Sequence, residues 1–121
     1  FFTFWGLNVI KKRQKPSVEK DIFGKMFGMM LPSSSKALSL SKMNMGGIGS
    51  KMMRHIMQNK RIDSLETMIQ QAIDNGVEMI ACTMSMDVMG VKKEELLENV
   101  ELGGVATYLE RAEGANMNLF I

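Results

Sequence analysis

Cysteine is almost missing from this chain: Cys82 is the only one among 121 residues. A single thiol cannot close an intrachain disulfide. With one histidine, His55, it cannot form a conventional structural zinc site either. A dithiol oxidoreductase needs C-x-x-C, so that chemistry is excluded too. No apolar run approaches the roughly 18 residues that a bilayer span requires. Phe1–Ile10 does not read as a secretory signal, because the basic residues follow the apolar stretch instead of preceding it. No G-x-x-x-x-G-K-[ST] loop is present, and Gly46-Gly47-Ile48-Gly49 does not clearly join a strand to a helix. The net charge of +2 is too small to mark a nucleic-acid footprint. The residues therefore suggest no metal and no cofactor. The scarcity of cysteine fits a reducing cytoplasm.

What is present is an ordinary soluble balance, 45% hydrophobic and 23% charged, in a length that suits one domain. Methionine is the exception, with 14 residues concentrated between Met26 and Met57. Phe1–Trp5 is aromatic and β-prone, with Gly6 as its stop. Leu7–Arg13 can begin a helix, and the basic run Lys11–Pro16 reads as a solvated surface. Lys25–Leu31 reads as a short helical piece. Met43–Gly49 is too rich in glycine for a confident helix or strand. Ser50–Asn59 predicts a helix capped by Ser50, with Met52, Met53, Ile56 and Met57 on one side and His55 on the solvent side.

The strongest helix signal follows. Asp63-Ser64-Leu65-Glu66 resembles a capping box, Leu65, Met68, Ile69, Ala72 and Ile73 form an apolar stripe, and Gly76 can close the helix. Val77–Cys82 then reads as a buried strand, Ser85–Met89 as a helical turn ended by Gly90, and Lys92–Asn99 as an amphipathic helical piece. On that piece Glu94, Glu95 and Glu98 read as a solvated face. Val100–Leu102 reads as a strand, Val105–Ala112 as a helix stopped by Gly114, and Met117–Ile121 as a terminal strand. Strands alternating with helices imply right-handed crossovers and a parallel sheet. In such sheets ligands bind beyond the carboxyl ends of the strands. Cys82 ends a strand there and should emerge at that edge, facing backbone N–H groups that favour a thiolate. Thr83 and Ser85 are placed to donate hydrogen bonds to it, and Asp87 to cap the turn. An unpaired cysteine can equally be a small buried hydrophobe.

Several stretches carry a resemblance: FFTFWGL at Phe1–Leu7, KMFGMMLP at Lys25–Pro32, LSKMNMGGIGSKMM at Leu40–Met53, CTMSMDVMG at Cys82–Gly90 and NLFI at Asn118–Ile121. Together they resemble the DsrE/DsrF/DrsH-like family of small sulfur-relay proteins, in the branch labelled peroxiredoxin-like. The resemblance implies an α/β, three-layer flavodoxin-like fold with a mainly parallel sheet. It implies one DsrE-like domain over 1–121, with a Met/Gly-rich insertion at about 40–57. It also implies an N-terminal strand and helix that this chain lacks, the strand lying beside the one that ends in Cys82. The peroxiredoxin label lacks its motif, since the only prolines are Pro16 and Pro32.

The function implied is that of a cytoplasmic sulfur carrier or sulfurtransferase, passing sulfane sulfur through a persulfide on Cys82. Thr83 and Ser85 would support it. Partners would be sulfur donor and acceptor proteins of TusA or rhodanese type, and the chain would form a homo-oligomer, a trimer or a multiple of one. No stable membrane insertion is expected. Met43, Met45, Met52, Met53 and Met57 read as a flexible apolar face packing on their own domain or on another subunit, or, for Met43, Met45, Met52 and Met53, as a docking surface for protein partners; thioether binding of Cu(I) is the remote alternative. Glycine around these methionines suggests a segment that moves. Two rival readings stay open: a non-catalytic adaptor using the methionine surface, and a thiol redox sensor in which Cys82 is oxidised.

Overall fold

The computed structural model describes residues 1–12, 19–20, 22–39 and 41–121. Its centre is a parallel pair, β1 (Met79–Cys82) and β2 (Val100–Gly103), with Met79 opposite Val100 and Cys82 opposite Gly103. On the other side of β1 lies the extended segment Phe1–Thr3. Phe2 N–H donates to Ile80 O at 2.8 Å, and Cys82 N–H donates to Phe2 O at 2.9 Å. Beyond it lies the C-terminal segment, where Ile121 N–H donates to Phe1 O and Thr3 N–H to Ile121 O. The backbone order is thus 119–121, 1–3, β1, β2. Both edges of β1 are hydrogen-bonded.

Among the described residues five α-helices accompany this ladder: α1 (Ile22–Met30), α2 (Ile48–Asn59), α3 (Leu65–Asp74), α4 (Thr83–Met89) and α5 (Val105–Gly114). Successive side chains of a strand point to opposite faces, and β1 shows it. Met79 and Ala81 enter the main core with Phe2, Leu7, Ile10, Met86 and Leu96, against which Ile69, Ala72 and Ile73 of α3 also pack. Ile80 and Cys82 join Phe1, beneath Tyr108 of α5. The chain is therefore α/β with a parallel sheet. α3 closes as the sequence suggests: Gly76 takes φ +82°, its N–H donates to Ile73 O, and Val77 N–H donates to Ala72 O. Gly90 ends α4 at φ +61°, and a Cβ there would collide with Gly24 Cα. α1 and α4 therefore meet backbone to backbone, glycine on glycine.

Local order departs from expectation where a long-range partner competes with local pattern. Only Phe1–Thr3 of the first apolar run pairs with the sheet; Phe4–Ile10 coils into a 3-10 helix that buries Leu7, Asn8 and Ile10. The 93–95 stretch makes one 3-10 turn in place of a helix, because Leu96 bridges Lys11 and is buried against the core. Glu95 leaves the solvated face with it. Its carboxylate takes Lys20 Nζ at 2.6 Å and Lys92 N–H at 2.8 Å. Lys11 is buried, while residues 13–16 of the basic run lie outside the described residues. The cap of α3 is Ser64 and not Asp63: its Oγ accepts Thr67 N–H, and Glu66 is drawn away to Ser35. α2 begins at Ile48, earlier than Ser50, since Gly47 adopts the left-handed conformation that starts it. Ser50 Oγ instead donates to Asn44 Oδ1 at 2.7 Å. The 41–47 stretch before it is a 3-10 helix with a left-handed kink at Met45 and Gly46.

Candidate functional site

Cys82 sits at the junction where β1 ends and α4 starts, and it is the N-cap residue of that helix. Its backbone takes φ −70° and ψ 114°, extended, with no side chain capping the turn. The first N–H groups of a helix have no partner inside it, and at α4 these groups follow directly on the cysteine. The thiol, however, does not emerge. Cys82 is 2% exposed, because the strand alternation that sends Ile80 under α5 sends Cys82 there too. Its cover is aromatic. Phe1 stacks on Tyr108 at 5.0 Å, and Phe120 sits edge-on to Tyr108 at 5.5 Å. The Tyr108 hydroxyl donates to Asn118 Oδ1 at 2.8 Å, which ties this lid to the C-terminal segment.

The expected supporting groups divide. Thr83 follows Cys82 and is exposed. Ser85 is fully buried, one helical turn on, and its Oγ has no hydrogen-bond partner, the thiol included. Its neighbours in α4, Met86 and Met89, belong to the main core, whereas Cys82 belongs to the cluster under α5. Asn8 of the neighbouring 3-10 helix is also fully buried; it donates to Trp5 O and leaves Oδ1 unpartnered. Asp87 is exposed and contributes its carbonyl, not its carboxylate, to the turn at Gly90. Met43, Met45, Met52 and Met53 are brought to one region by the kink into α2, and all four are exposed. His55 is exposed beside Asn59. Among the described residues no three His, Cys, Asp or Glu side chains converge as a metal site. Two open clefts, of about 530 and 360 Å³, lie against α1 and α2, and Cys82 lines neither.

Sequence reasoning missed the cover. Tyr108 is the only tyrosine, on the helix that Gly103-Gly104 folds back over the sheet. A Cβ on Gly103 would meet Thr107 and Ile80 at 3.0–3.1 Å. The glycine pair was the available signal that this helix lies close over the end of β1.

Comparison with known proteins settles the family. The profile of the DsrE/DsrF/DrsH-like family matches residues 1–120. The chain belongs to the DsrE/DsrF/DrsH-like family. Two curated relatives span it fully. "Uncharacterized protein YrkE" of Bacillus subtilis is 42% identical over 121 residues, which is 100% of this chain and 76% of that protein. "Sulfur carrier protein DsrE2" of Allochromatium vinosum is 34% identical over 125 residues, covering 100% of this chain and 77% of that protein. This DsrE/DsrF/DrsH-like chain holds one thiol at the carboxyl end of a central parallel strand, buried beneath the helix that follows the next strand. Among its described residues no helix is long and apolar enough to cross a membrane.

Proposed function

We propose that the chain is a cytoplasmic sulfur carrier that holds sulfane sulfur as a persulfide on Cys82. The observation that carries this reading is the place of the sole thiol. It lies at the strand-to-helix junction of a parallel sheet, in a chain whose relative in Allochromatium vinosum is named a sulfur carrier. The Cys82 thiolate attacks the outer sulfur of a donor persulfide. A new S–S bond forms on Cys82, the donor S–S bond breaks, and the donor leaves as a thiolate. An acceptor thiolate then attacks the outer sulfur, takes it as its own persulfide and returns Cys82 to the thiolate. No net oxidant is needed, and one cysteine suffices because the second thiol belongs to the partner. Donor and acceptor are sulfur-transfer proteins, and Met43, Met45, Met52 and Met53 supply surface for macromolecular contact. Thr83, exposed at the first position of α4, is the group placed to meet an incoming persulfide; Ser85 supports α4 from beneath.

Burial of the thiol adds a condition. Transfer requires the Phe1–Tyr108 cover over the Cys82 cluster to open. The same burial favours a second reading, that of an adaptor whose methionine surface binds a partner while Cys82 only packs. Intact-protein mass spectrometry after a low-molecular-weight persulfide donor separates the two. The carrier gains roughly 32 Da, one sulfur atom, reversed by reductant and lost in Cys82→Ser. An unmodified mass in a protein whose thiol is alkylated under the same conditions sinks the carrier reading for such donors and leaves the adaptor. A gain of oxygen in place of sulfur turns the assignment to redox sensing.

A further inference from the structure

The smaller of the two clefts is built by segments that stand apart in sequence. α2 lines it with Met53 and Met57, spaced by four, and with Arg54. Where α2 stops, Arg61 takes φ +56°, the left-handed position that glycine usually fills. Its N–H donates to Gln58 O, and Ile62 N–H donates to Met57 O, a stop that turns Ile62 back towards Met57 and into the lining. The first turn of α3 adds Leu65 and Glu66. The 35–37 turn ties the two helices together. Arg54 Nη2 donates to Lys36 O, and Ser35 Oγ donates to Glu66 Oε1 at 2.8 Å.

This lining combines apolar surface with a charge that nothing answers. Met53, Ile62 and Leu65 stay 38, 50 and 38% exposed. Elsewhere among the described residues Lys12, Lys20 and Arg111 each reach a carboxylate. Arg54 reaches none there; its partner is the Lys36 carbonyl, which leaves most of its five N–H donors unused. Glu66 does not neutralise it, since that carboxylate takes the Ser35 hydroxyl and feels the charge of Lys36. The surroundings add to the positive field. Between Asp21 and Asp63 there is no acidic residue, and that stretch carries seven lysines and arginines. A volume of about 360 Å³ is the size of a small-molecule site, apolar with a few polar groups.

We propose that the cleft between α2 and α3 binds a small amphipathic monoanion, a carboxylate with an apolar body, its head on Arg54 and its body along Met53, Met57, Ile62 and Leu65. A guanidinium matches a carboxylate because its planar fork presents N–H donors in pairs. The two thioethers adapt to bodies of different shape, so the site is selective for the charge of the head more than for the outline of the body. Cys82 lines no part of this cleft, and the proposal stands apart from the sulfur chemistry. Met53 belongs both to the cleft and to the methionine surface given a docking role above, so a bound anion covers part of that surface.

The test is a titration of the nitrogen-15-labelled protein with octanoate, read by amide chemical shifts. 1-Octanol supplies the body without the charge, and acetate the head without the body. Octanoate is expected to shift the amides of residues 35–37, 53–58 and 62–66 saturably, with octanol and acetate far weaker. Arg54→Gln should weaken octanoate about tenfold, the loss of one charge-assisted contact. Met57→Glu, which leaves Arg54 in place and sets a carboxylate against the body, should abolish saturable binding. It keeps the test decisive if Arg54→Gln loosens the 35–37 turn, which the shifts without ligand would reveal. Octanol as tight as octanoate, or unchanged affinity in both variants, overturns the proposal in favour of an apolar groove for a peptide side chain. Saturable shifts centred on α1 or α5, or none at all, overturn the site. Shifts with anionic vesicles but not with octanoate overturn it in favour of a lipid surface.

Discussion

The sheet around β1 and the methionine-rich arm of α2 carry the same kind of message in sequence and meet opposite fates. Met79, Ile80, Ala81 and Cys82 are buried on both faces, with Phe1–Thr3 on one edge and β2 on the other. Met43, Met45, Ile48 and Met52 are as apolar, yet all are exposed. The difference lies in backbone, not side chains. Strand hydrogen bonds bring two distant segments to β1 and close its flanks, whereas a helix satisfies its own backbone and must find cover through side chains alone. A hydrophobic pattern states that a face needs cover. It does not state which chain supplies it.

Substitutions can break this contrast. Leu96→Ala, at 1% exposure in the main core, should cost about 2–5 kcal/mol in urea unfolding, while Met52→Ala in the monomer should stay within about 0.5 kcal/mol. Comparable losses at both sites would mean that α2 is packed as tightly as the sheet. Gly90→Ala places a methyl at left-handed φ and against Gly24, and should cost about 1–3 kcal/mol; a neutral result would deny the close contact of α1 with α4. Tyr108→Ala sharpens the comparison from the other side. With the lid ring removed, alkylation of Cys82 should accelerate several-fold, with no such change in Met52→Ala. Equal rates would show that the thiol is reached by another path.

The smallest effect concerns the 35–37 turn, which borders the α2 cleft. Burial of Glu66 pushes its pKa up. The hydrogen bond from Ser35 Oγ at 2.8 Å opposes this most strongly, helped by its own backbone, by Ser64 and by the charge of Lys36, and the net position is below the ordinary value. A carboxylate with a depressed folded pKa adds stability that is complete above its unfolded pKa and fades as pH falls through the folded one. The stability gap between wild type and Glu66→Gln should therefore close as pH drops below about 4.3, the ordinary glutamate range. Urea midpoints between about pH 6 and pH 3 measure it, and a gap that is constant with pH would deny the Ser35–Glu66 contact. Its size is a fraction of a kcal/mol, since the group is partly exposed.

Much of the fold was legible in local chemistry. The helix α3, its Gly76 stop, the strand into Cys82 and the Gly90 turn all depend on neighbours within a few residues and appear, although Leu65 and Met68 of the α3 stripe stay exposed and the strand starts at Met79, leaving Val77 in solvent. What failed to show locally were features decided at long range. Leu96 leaves a helical pattern because Lys11 bridges it, and Glu95 leaves the surface because Lys20 takes it. The position of Cys82 at a carboxyl edge was readable; its burial was not, because the covering Tyr108 lies 26 residues away, on a helix whose tilt only the Gly103 contact reveals. Ser85 could be read as near the cysteine in sequence, but its Oγ is buried without a hydrogen-bond partner, the thiol included.

The glycine-on-glycine contact gives α4 a mechanical character. One end of this helix is joined to β1 through Cys82; the other presses bare backbone against α1 with no side chain to yield between them. A short strut held in this way transmits displacement instead of absorbing it, because close-packed interiors compress little. Were Cys82 to carry the extra sulfur atom of the proposed function, that atom would need room, and any share of it taken by α4 would press on Gly24. There it would tilt α1, whose Ile22, Phe23 and Met29 stand open to solvent. Cargo at the thiol would thus be legible on a surface that the thiol never touches.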